Sequence, residues 1–457
     1  MVMKINPKEV IEKLKSGEQK ICVVGLGRIG LPTACLFAKV KASVIGVDKN
    51  LKNVKLISEG KTPFQEKGLQ PLLEKVIKTG KLQVSSNLKE EIPKSDVIII
   101  LVSTLIDNQK NPDYSELEKV CKDIGLTLKK DSLIIFESTV GPGFTENFAL
   151  KTIEHLSGFK VGKDFGLAYS PIRASPGRIL RDLAFYPRIV AGIDKASLNR
   201  ACAVLSLIVK NRFVILDSIK AAEAAKVFEN VYRDVNIALA NVLARFCEET
   251  GLNYKKIAEA ANTQPYCHLL RPGIVGGTCI PVTPYFLLFE AKNLGLSLEV
   301  VETARKVNEA VAKRIVDKIS EVFKEDGLKL RRSKIFILGA SYKADSRGEY
   351  LTPCKVLMEI LKRKGAEIFV WDPLYTIGEL KEIGLSPVRF EDGLRKANCI
   401  IISVGHMMFK NLKRKILENL LMRKEKIFVV DASGFNIFTP KDSVDNVKCL
   451  SIGYWKT

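Results

Sequence analysis

Nine residues, Gly273 to Pro281, read "GIVGGTCIP" and set a single cysteine, Cys279, in a glycine-rich loop. Glycines let a backbone turn tightly and approach a ligand closely. A thiol presented there is either a nucleophile or a small apolar group packed behind a turn, the commoner fate of a free cysteine. A second cluster, "GLGRIG", holds Gly25, Gly27 and Gly30 with Arg28 and Ile29 between them, and Asp48 follows 18 residues after Gly30. Glycines at that spacing, after a strand and opening a helix, let a pyrophosphate sit on the helix N-terminus while the acid accepts from ribose hydroxyls. Asp48 also favours NAD over NADP, because a 2′-phosphate would meet a carboxylate. Lys226 and Asn230 are spaced i, i+4 and share a helix face, with Arg233 on nearly the same stripe. Such a pair either stabilises an oxyanion or is ordinary solvated polarity. Ser138 and Thr139, in "FESTVGPG", and Thr104, closing "VIIILVST", sit at predicted strand ends, where each hydroxyl either orders a water or bound group or caps a turn.

The elements that position these residues are legible in outline. Residues 20–48 run from an apolar stretch through glycines and helical spacing to a second apolar stretch ending in an acid, a βαβ unit. Further apolar runs at 96–104, 132–140, 165–171 and 188–193 continue a parallel sheet covered on both faces. From about residue 218 the chain is alanine-rich, with neither proline nor internal glycine until Gly251. It predicts one helix of about nine turns at 3.6 residues per turn. Residues 255–325 read as mostly helical apart from the glycine loop. From about 331 the strand pattern returns in "KIFILGASYK", "GAEIFVWDP", "NCIIISVG" and "KIFVVDASG". The expected architecture is α/β, with two Rossmann-like doubly wound domains (1–215 and 326–457) joined by a central helical domain (216–325).

Composition narrows the class. Hydrophobic residues at 46% and charged residues at 27% are ordinary for a globular chain. The ten cysteines are scattered without a CxxC pair, which argues against a zinc site or a disulfide framework, so no metal is expected. The polar first twenty residues lack the apolar core of a signal peptide, and the apolar run at 97–106 is too short to span a bilayer. A cytoplasmic protein with no membrane insertion is expected. The net charge of +21 is dispersed over helix-like surfaces without interleaved aromatics, so a nucleic-acid partner is not expected.

Taken together, "GLGRIGLPTA", "VIGVDKN", "GKTPFQEKGL", "ESTVGPG", "SPIRASPG", "KVFENVYRDVNIALANVL", "PGIVGGTC" and "LGASYKAD" resemble, in order, the motifs of the nucleotide-sugar 6-dehydrogenases. This family contains the UDP-glucose and UDP-N-acetylmannosamine dehydrogenases. The resemblance covers residues 18–450, and several segments look more like the N-acetylhexosamine branch. It implies that Cys279 is a catalytic thiol that captures an aldehyde and carries it to a thioester while two NAD are reduced. It further implies that Lys226 and Asn230 stabilise the oxyanion, that Thr139 positions a water, and that Thr104 and Thr139 lie against the cofactor. Arg173, Ala174, Arg233, Gly276, Tyr342 and Lys343 match substrate-contacting positions, alongside Lys226 and Asn230. A UDP-sugar is the implied substrate, and a homodimer through the long helix, or a higher homo-oligomer, the implied assembly.

The departures from the family pattern fall in the same places. Ile172 and Thr283 stand where the family carries carboxylates, Thr278 where it carries His, and Gln264 and Tyr266 where it carries His and Arg. Tyr350 replaces an expected Arg, and Ser103-Thr104-Leu105 replaces Pro-Thr-Pro. General acid–base help contributes typically about 10²–10⁴ in rate. Two expectations follow: a UDP-N-acetylhexosamine dehydrogenase, with UDP-glucose as the other substrate, or an impaired homologue that binds NAD or UDP-sugar as a sensing or assembly partner.

Overall fold

The computed structural model describes residues 6–455, so the first five residues of the polar amino-terminal stretch lie outside the described residues. The chain divides into two compact units: residues up to Glu229 together with Tyr285–Leu296, and Asn230–Pro284 together with Ser297 onward.

In the first unit the strands are β1 (Lys20–Val24), β2 (Ser43–Val47), β3 (Leu82–Ser85), β4 (Val97–Ile100), β5 (Leu105–Ile106), β6 (Pro112–Asp113), β7 (Leu133–Phe136), β8 (Gly166–Tyr169), β9 (Arg188–Gly192) and β10 (Phe213–Ile215). β5 and β6 pair only with each other; the remaining eight form one sheet in the order β10-β9-β8-β7-β4-β1-β2-β3. From β3 through β8 this is the dinucleotide-binding strand order, with its switch point between β1 and β4. Successive residues of one strand feed opposite cores: Ile21, Val23 and Ile99 pack on one side, Cys22, Ile98 and Ile100 on the other. Burial of both faces is why these strands read as unbroken apolar runs. β9 runs antiparallel to β8, with Ala168 opposite Gly192, which departs from the all-parallel sheet expected.

The second unit carries β11 (Lys334–Leu338), β12 (Glu367–Trp371), β13 (Cys399–Ile402), β14 (Ile427–Asp431) and β15 (Val447–Ser451), all parallel, in the order β12-β11-β13-β14-β15. This is the other common doubly wound order, with its switch point between β11 and β13. Here too alternate residues divide between two cores, Ile335 and Ile337 against Phe336 and Leu338.

The long helix spans Ile219–Thr250 in one piece of 32 residues. Ala222, Glu223, Val227, Asn230, Asp234 and Asn241 are buried along it, whereas Tyr232, Leu239, Val242 and Phe246 are exposed. One side of this helix is therefore buried and partly polar, and another is apolar and open.

Candidate active site

In the first unit the turn after β1 is fixed by steric exclusion. A Cβ at Gly30 would lie 1.7 Å from the Gly25 carbonyl oxygen, and one at Gly25, where φ is +93°, would lie 2.7 Å from the Leu101 oxygen. Only glycine lets the helix Gly30–Lys39 start this close to the strand. Gly27 differs: a Cβ there meets nothing within 4 Å. Protein packing does not require glycine at 27; the open space there leaves room for a ligand to approach the backbone closely. Gly25, Gly27 and Asp48 line one cleft of about 520 Å³ with Val102 and Ser103. The Asp48 carboxylate accepts the Leu26 N–H and the Asn50 N–H, each at 2.8 Å, which aims it while leaving lone pairs for hydroxyl donors. Arg28 lies over the Phe64 ring at 5.7 Å. Ile29, at the helix start, packs with Ile172. The residues present suit a dinucleotide.

The ends of β4 and β7 are stitched together. Thr104 Oγ1 donates to the Thr139 carbonyl at 2.5 Å and Ser138 Oγ to the Val102 carbonyl at 2.8 Å. Beyond Thr139, the buried Glu223 of the long helix accepts the N–H groups of Gly143 at 2.5 Å and Thr145 at 2.9 Å. Burial pushes its carboxyl up to about 7, although these hydrogen bonds oppose the shift. Lys226 lies three residues further along the helix, half-buried. Arg173 donates to Glu229 at 3.1 Å and to the Pro187 carbonyl. Ile172 is buried with Ile179 and Leu183, and Ala174 packs against the same apolar cluster.

In the second unit Cys279 is the one exposed cysteine of the ten. It is not packed behind its turn. By contrast, burial pushes the thiols of Cys22, Cys35, Cys121 and Cys354 up to about 12. The Thr278 hydroxyl lies 3.8 Å from the Cys279 sulfur. Asn230 is buried, so it is no surface amide, and donates to Thr283 Oγ1 at 3.1 Å. The Thr283 N–H in turn donates to the Cys279 carbonyl at 2.9 Å. These three residues are thus brought together, whereas Arg233, Gln264 and Tyr266 are exposed. Gly277, at φ +91°, donates to the Tyr350 carbonyl at 3.2 Å, and a Cβ on it would lie 2.7 Å from the Tyr342 ring. A Cβ at Gly276 would lie 2.5 Å from the Leu351 oxygen, so the loop carrying Cys279 lies flat against the segment 342–351. Lys343, next to Tyr342, is exposed.

Two polar groupings of this unit escaped the sequence reading. His406 is buried; its Nδ1 accepts the Asp345 N–H at 2.9 Å, so its Nε2–H donates to Asp372 at 3.1 Å. Asp372 also accepts the N–H groups of Ala340 at 2.6 Å and Ser341 at 3.2 Å, and so steadies the stretch leading into Tyr342 and Lys343. Burial raises the Asp372 carboxyl, but the hydrogen bond from His406 and those from the Ala340 and Leu374 N–H groups outweigh it and the net shift is downward. The second grouping centres on the buried Asn241, which bonds the Gly273 backbone and Asn308. Neither had a local signal, because a lone histidine after a strand and an asparagine inside a helix are both common. Among the described residues no group of His, Cys, Asp or Glu could hold a metal ion, and no helix is long and apolar enough to cross a membrane.

Residues 19–209 match the NAD binding domain of the UDP-glucose/GDP-mannose dehydrogenase family, 220–310 its central domain and 336–440 its UDP binding domain. The chain belongs to that family. Its cofactor is NAD. A UDP-N-acetyl-D-mannosamine dehydrogenase from Pyrococcus horikoshii is 34% identical over 86% of this chain and 91% of its own length. A UDP-N-acetyl-D-glucosamine 6-dehydrogenase from Pseudomonas aeruginosa is 31% identical over 88% of this chain and 94% of its own. The solved structure of the UDP-D-ManNAc dehydrogenase from Pyrococcus horikoshii aligns with a TM-score of 0.87 at 30% identity, covering 96% of this family member and all of that chain.

Proposed function

We propose that this protein oxidises the C6 alcohol of a UDP-N-acetylhexosamine, UDP-N-acetyl-D-mannosamine first, to the uronate through a thioester on Cys279. The observation that carries the reading is the exposed Cys279, singled out among ten cysteines and set in a loop held flat by glycine contacts. The activities of the relatives from Pyrococcus horikoshii and Pseudomonas aeruginosa support the substrate class.

Gly25, Gly27, Gly30 and Asp48 would hold NAD, with Arg28, Ile29, Thr104 and Thr139 beside them; bound there, NAD accepts hydride. The alcohol loses a hydride and a proton to become the aldehyde. The Cys279 sulfur then adds to the carbonyl carbon, and the thiohemiacetal loses a second hydride and proton to give the thioester. Water hydrolyses it to carboxylate and free thiol. Lys226 and Asn230, one helical turn apart, would stabilise the oxyanions formed on addition and on hydrolysis. Thr139 would orient the water. Arg173, Ala174, Arg233, Gly276, Tyr342 and Lys343 would contact the nucleotide sugar.

Position 172 offers no acid or base, since Ile172 is embedded among Ile179 and Leu183. Thr283 accepts from Asn230, and its hydroxyl does not titrate near neutral pH as a carboxylate would. Hydrolysis should therefore be slow relative to acylation. The exposed helix stripe of Tyr232, Leu239, Val242 and Phe246, at near-heptad spacing, supports a homodimer through a second copy of this helix.

The test is a panel of UDP-sugars with NAD, following NADH absorbance and product mass. UDP-N-acetylmannosamine or UDP-N-acetylglucosamine should give the uronate faster than UDP-glucose at equal concentration. Faster product from UDP-glucose would overturn the substrate assignment. Binding of NAD and UDP-sugar without NADH formation would favour a binding protein instead.

A further inference from the structure

We infer that Asn241 is a positioning residue that sets the loop carrying Cys279; its catalytic meaning rests on the reading of Cys279 as the nucleophile. Asn241 is buried on the long helix, and its carboxamide grips the backbone of Gly273 from both sides. The Gly273 N–H donates to Asn241 Oδ1 at 2.8 Å, and Asn241 Nδ2 donates back to the Gly273 carbonyl at 3.1 Å. The second Nδ2 hydrogen goes to Asn308 Oδ1 at 2.9 Å. Both amide hydrogens and the oxygen are thus used, which fixes the orientation of the group.

Behind Asn241 the grip is anchored. Asn308 Nδ2 donates to the Asp234 carbonyl at 2.9 Å and to its Oδ1 at 2.8 Å, and the same Oδ1 accepts from Arg305 at 2.5 Å. All three anchoring residues are buried. Breaking any of these bonds would leave a further buried polar group unpaired, and that cost holds the network in one arrangement.

Asn241 and Asn230 lie eleven positions apart, three helical turns within about 20°, so both face the same way. Asn241 holds the loop where it begins, at Gly273, and Asn230 holds it where it ends, at Thr283. Cys279 lies between the two clamps. The buried stripe Asn230–Asp234–Asn241 is a rail along which one helix sets both ends of the thiol loop.

The experiment uses the full chain with Asn241→Ala, and with Asn241→Ser as a second, polar replacement too short to span both Gly273 groups. Amide hydrogen exchange should accelerate at least about tenfold from Gly273 through Cys279 and stay unchanged in β11 and β13. With UDP-N-acetylmannosamine, kcat should fall roughly 10- to 100-fold, as expected when reacting groups are misplaced by about 1 Å, while KM for NAD is retained. Unchanged exchange in 273–279, acceleration spread over the whole unit, or local acceleration without loss of kcat would each overturn the assignment. Failure of both variants to fold would overturn it too, in favour of a purely structural role. If the unmodified protein turns over no UDP-sugar, the functional reading fails, and the exchange result decides by itself whether Asn241 sets the loop.

Discussion

The dinucleotide cleft and the thiol loop are both glycine-rich, but the ends of the loop are held in a way that the turn of the cleft is not. In the cleft the shape comes from backbone against backbone, with Gly30 pressed on the Gly25 carbonyl and Gly25 on Leu101. A side chain adds to it where the Asp48 carboxylate accepts the N–H of Leu26 at 2.8 Å. In the thiol loop the ends are held by side-chain amides from a distant helix, Asn241 on Gly273 and Asn230 on Thr283. The turn at Gly25 and Gly30 is a steric fit that tolerates no added atom; the thiol loop shares that fit at Gly276 and Gly277, but its two ends are a hydrogen-bonded fit that tolerates no lost donor. Sequence motifs report the first kind far better than the second.

The sharpest way to break this contrast is to add one carbon inside the cleft. Gly30→Ala would put a methyl 1.7 Å from the Gly25 oxygen, so the helix must move. We expect a loss of at least about 3 kcal/mol in unfolding free energy, read by denaturant melts. Gly27→Ala, with open space at that Cβ, should leave stability within about 0.5 kcal/mol yet weaken NAD binding measured by calorimetry. Equal stability of the two variants would contradict the steric account.

A third region sharpens the comparison, because the same helix grips the turn after Thr139 with a titratable group. Burial pushes the Glu223 carboxyl up to about 7 in the folded chain, against 4.5 for an ordinary glutamate. The folded state therefore binds the proton more tightly, and the stabilisation it brings is fully present below pH 4.5 and lost as pH rises through about 7. The loss amounts to about 3 kcal/mol at most. The stability difference between the unmodified protein and Glu223→Gln should shrink or reverse from pH 4.5 to pH 8. A pH-independent difference would show that Glu223 stays ionised throughout. The Asn241 carboxamide does not itself titrate, but its anchor does: burial raises the Asp234 carboxyl although Arg305 and Asn308 oppose the shift.

The smallest effect concerns cofactor choice. Asp48→Asn removes the charge facing a 2′-phosphate and should narrow the NAD-over-NADP preference about tenfold, measured as the ratio of the two dissociation constants. An unchanged ratio would move selectivity elsewhere.

Much of this organisation was legible beforehand for physical reasons. Strands buried on both faces, such as Val97–Ile100 and Leu133–Phe136, announce themselves as apolar runs. The long helix follows from absent glycine and proline. The missed strands are short or mixed: β3 reads "LQVS", β10 has three residues at a sheet edge, and β15 interleaves Lys448 and Cys449. The antiparallel run of β9 had no signal, since direction depends on the connection and not on the strand's own residues. Asn230 was ambiguous because burial, which separates a placed amide from a solvated one, is a tertiary property. Asn241 and His406 were illegible for the same reason.

If Cys279 carries the substrate as a thioester, the adduct can be caught by mass. The direct measurement supplies the UDP-N-acetylmannosamine 6-aldehyde with NAD, quenches at short times and reads the mass of the peptide containing Cys279. An acyl adduct on Cys279 should accumulate because hydrolysis is the slow step, and Cys279→Ser should give neither adduct nor uronate. Uronate formed by Cys279→Ser at the rate of the unmodified protein would contradict it.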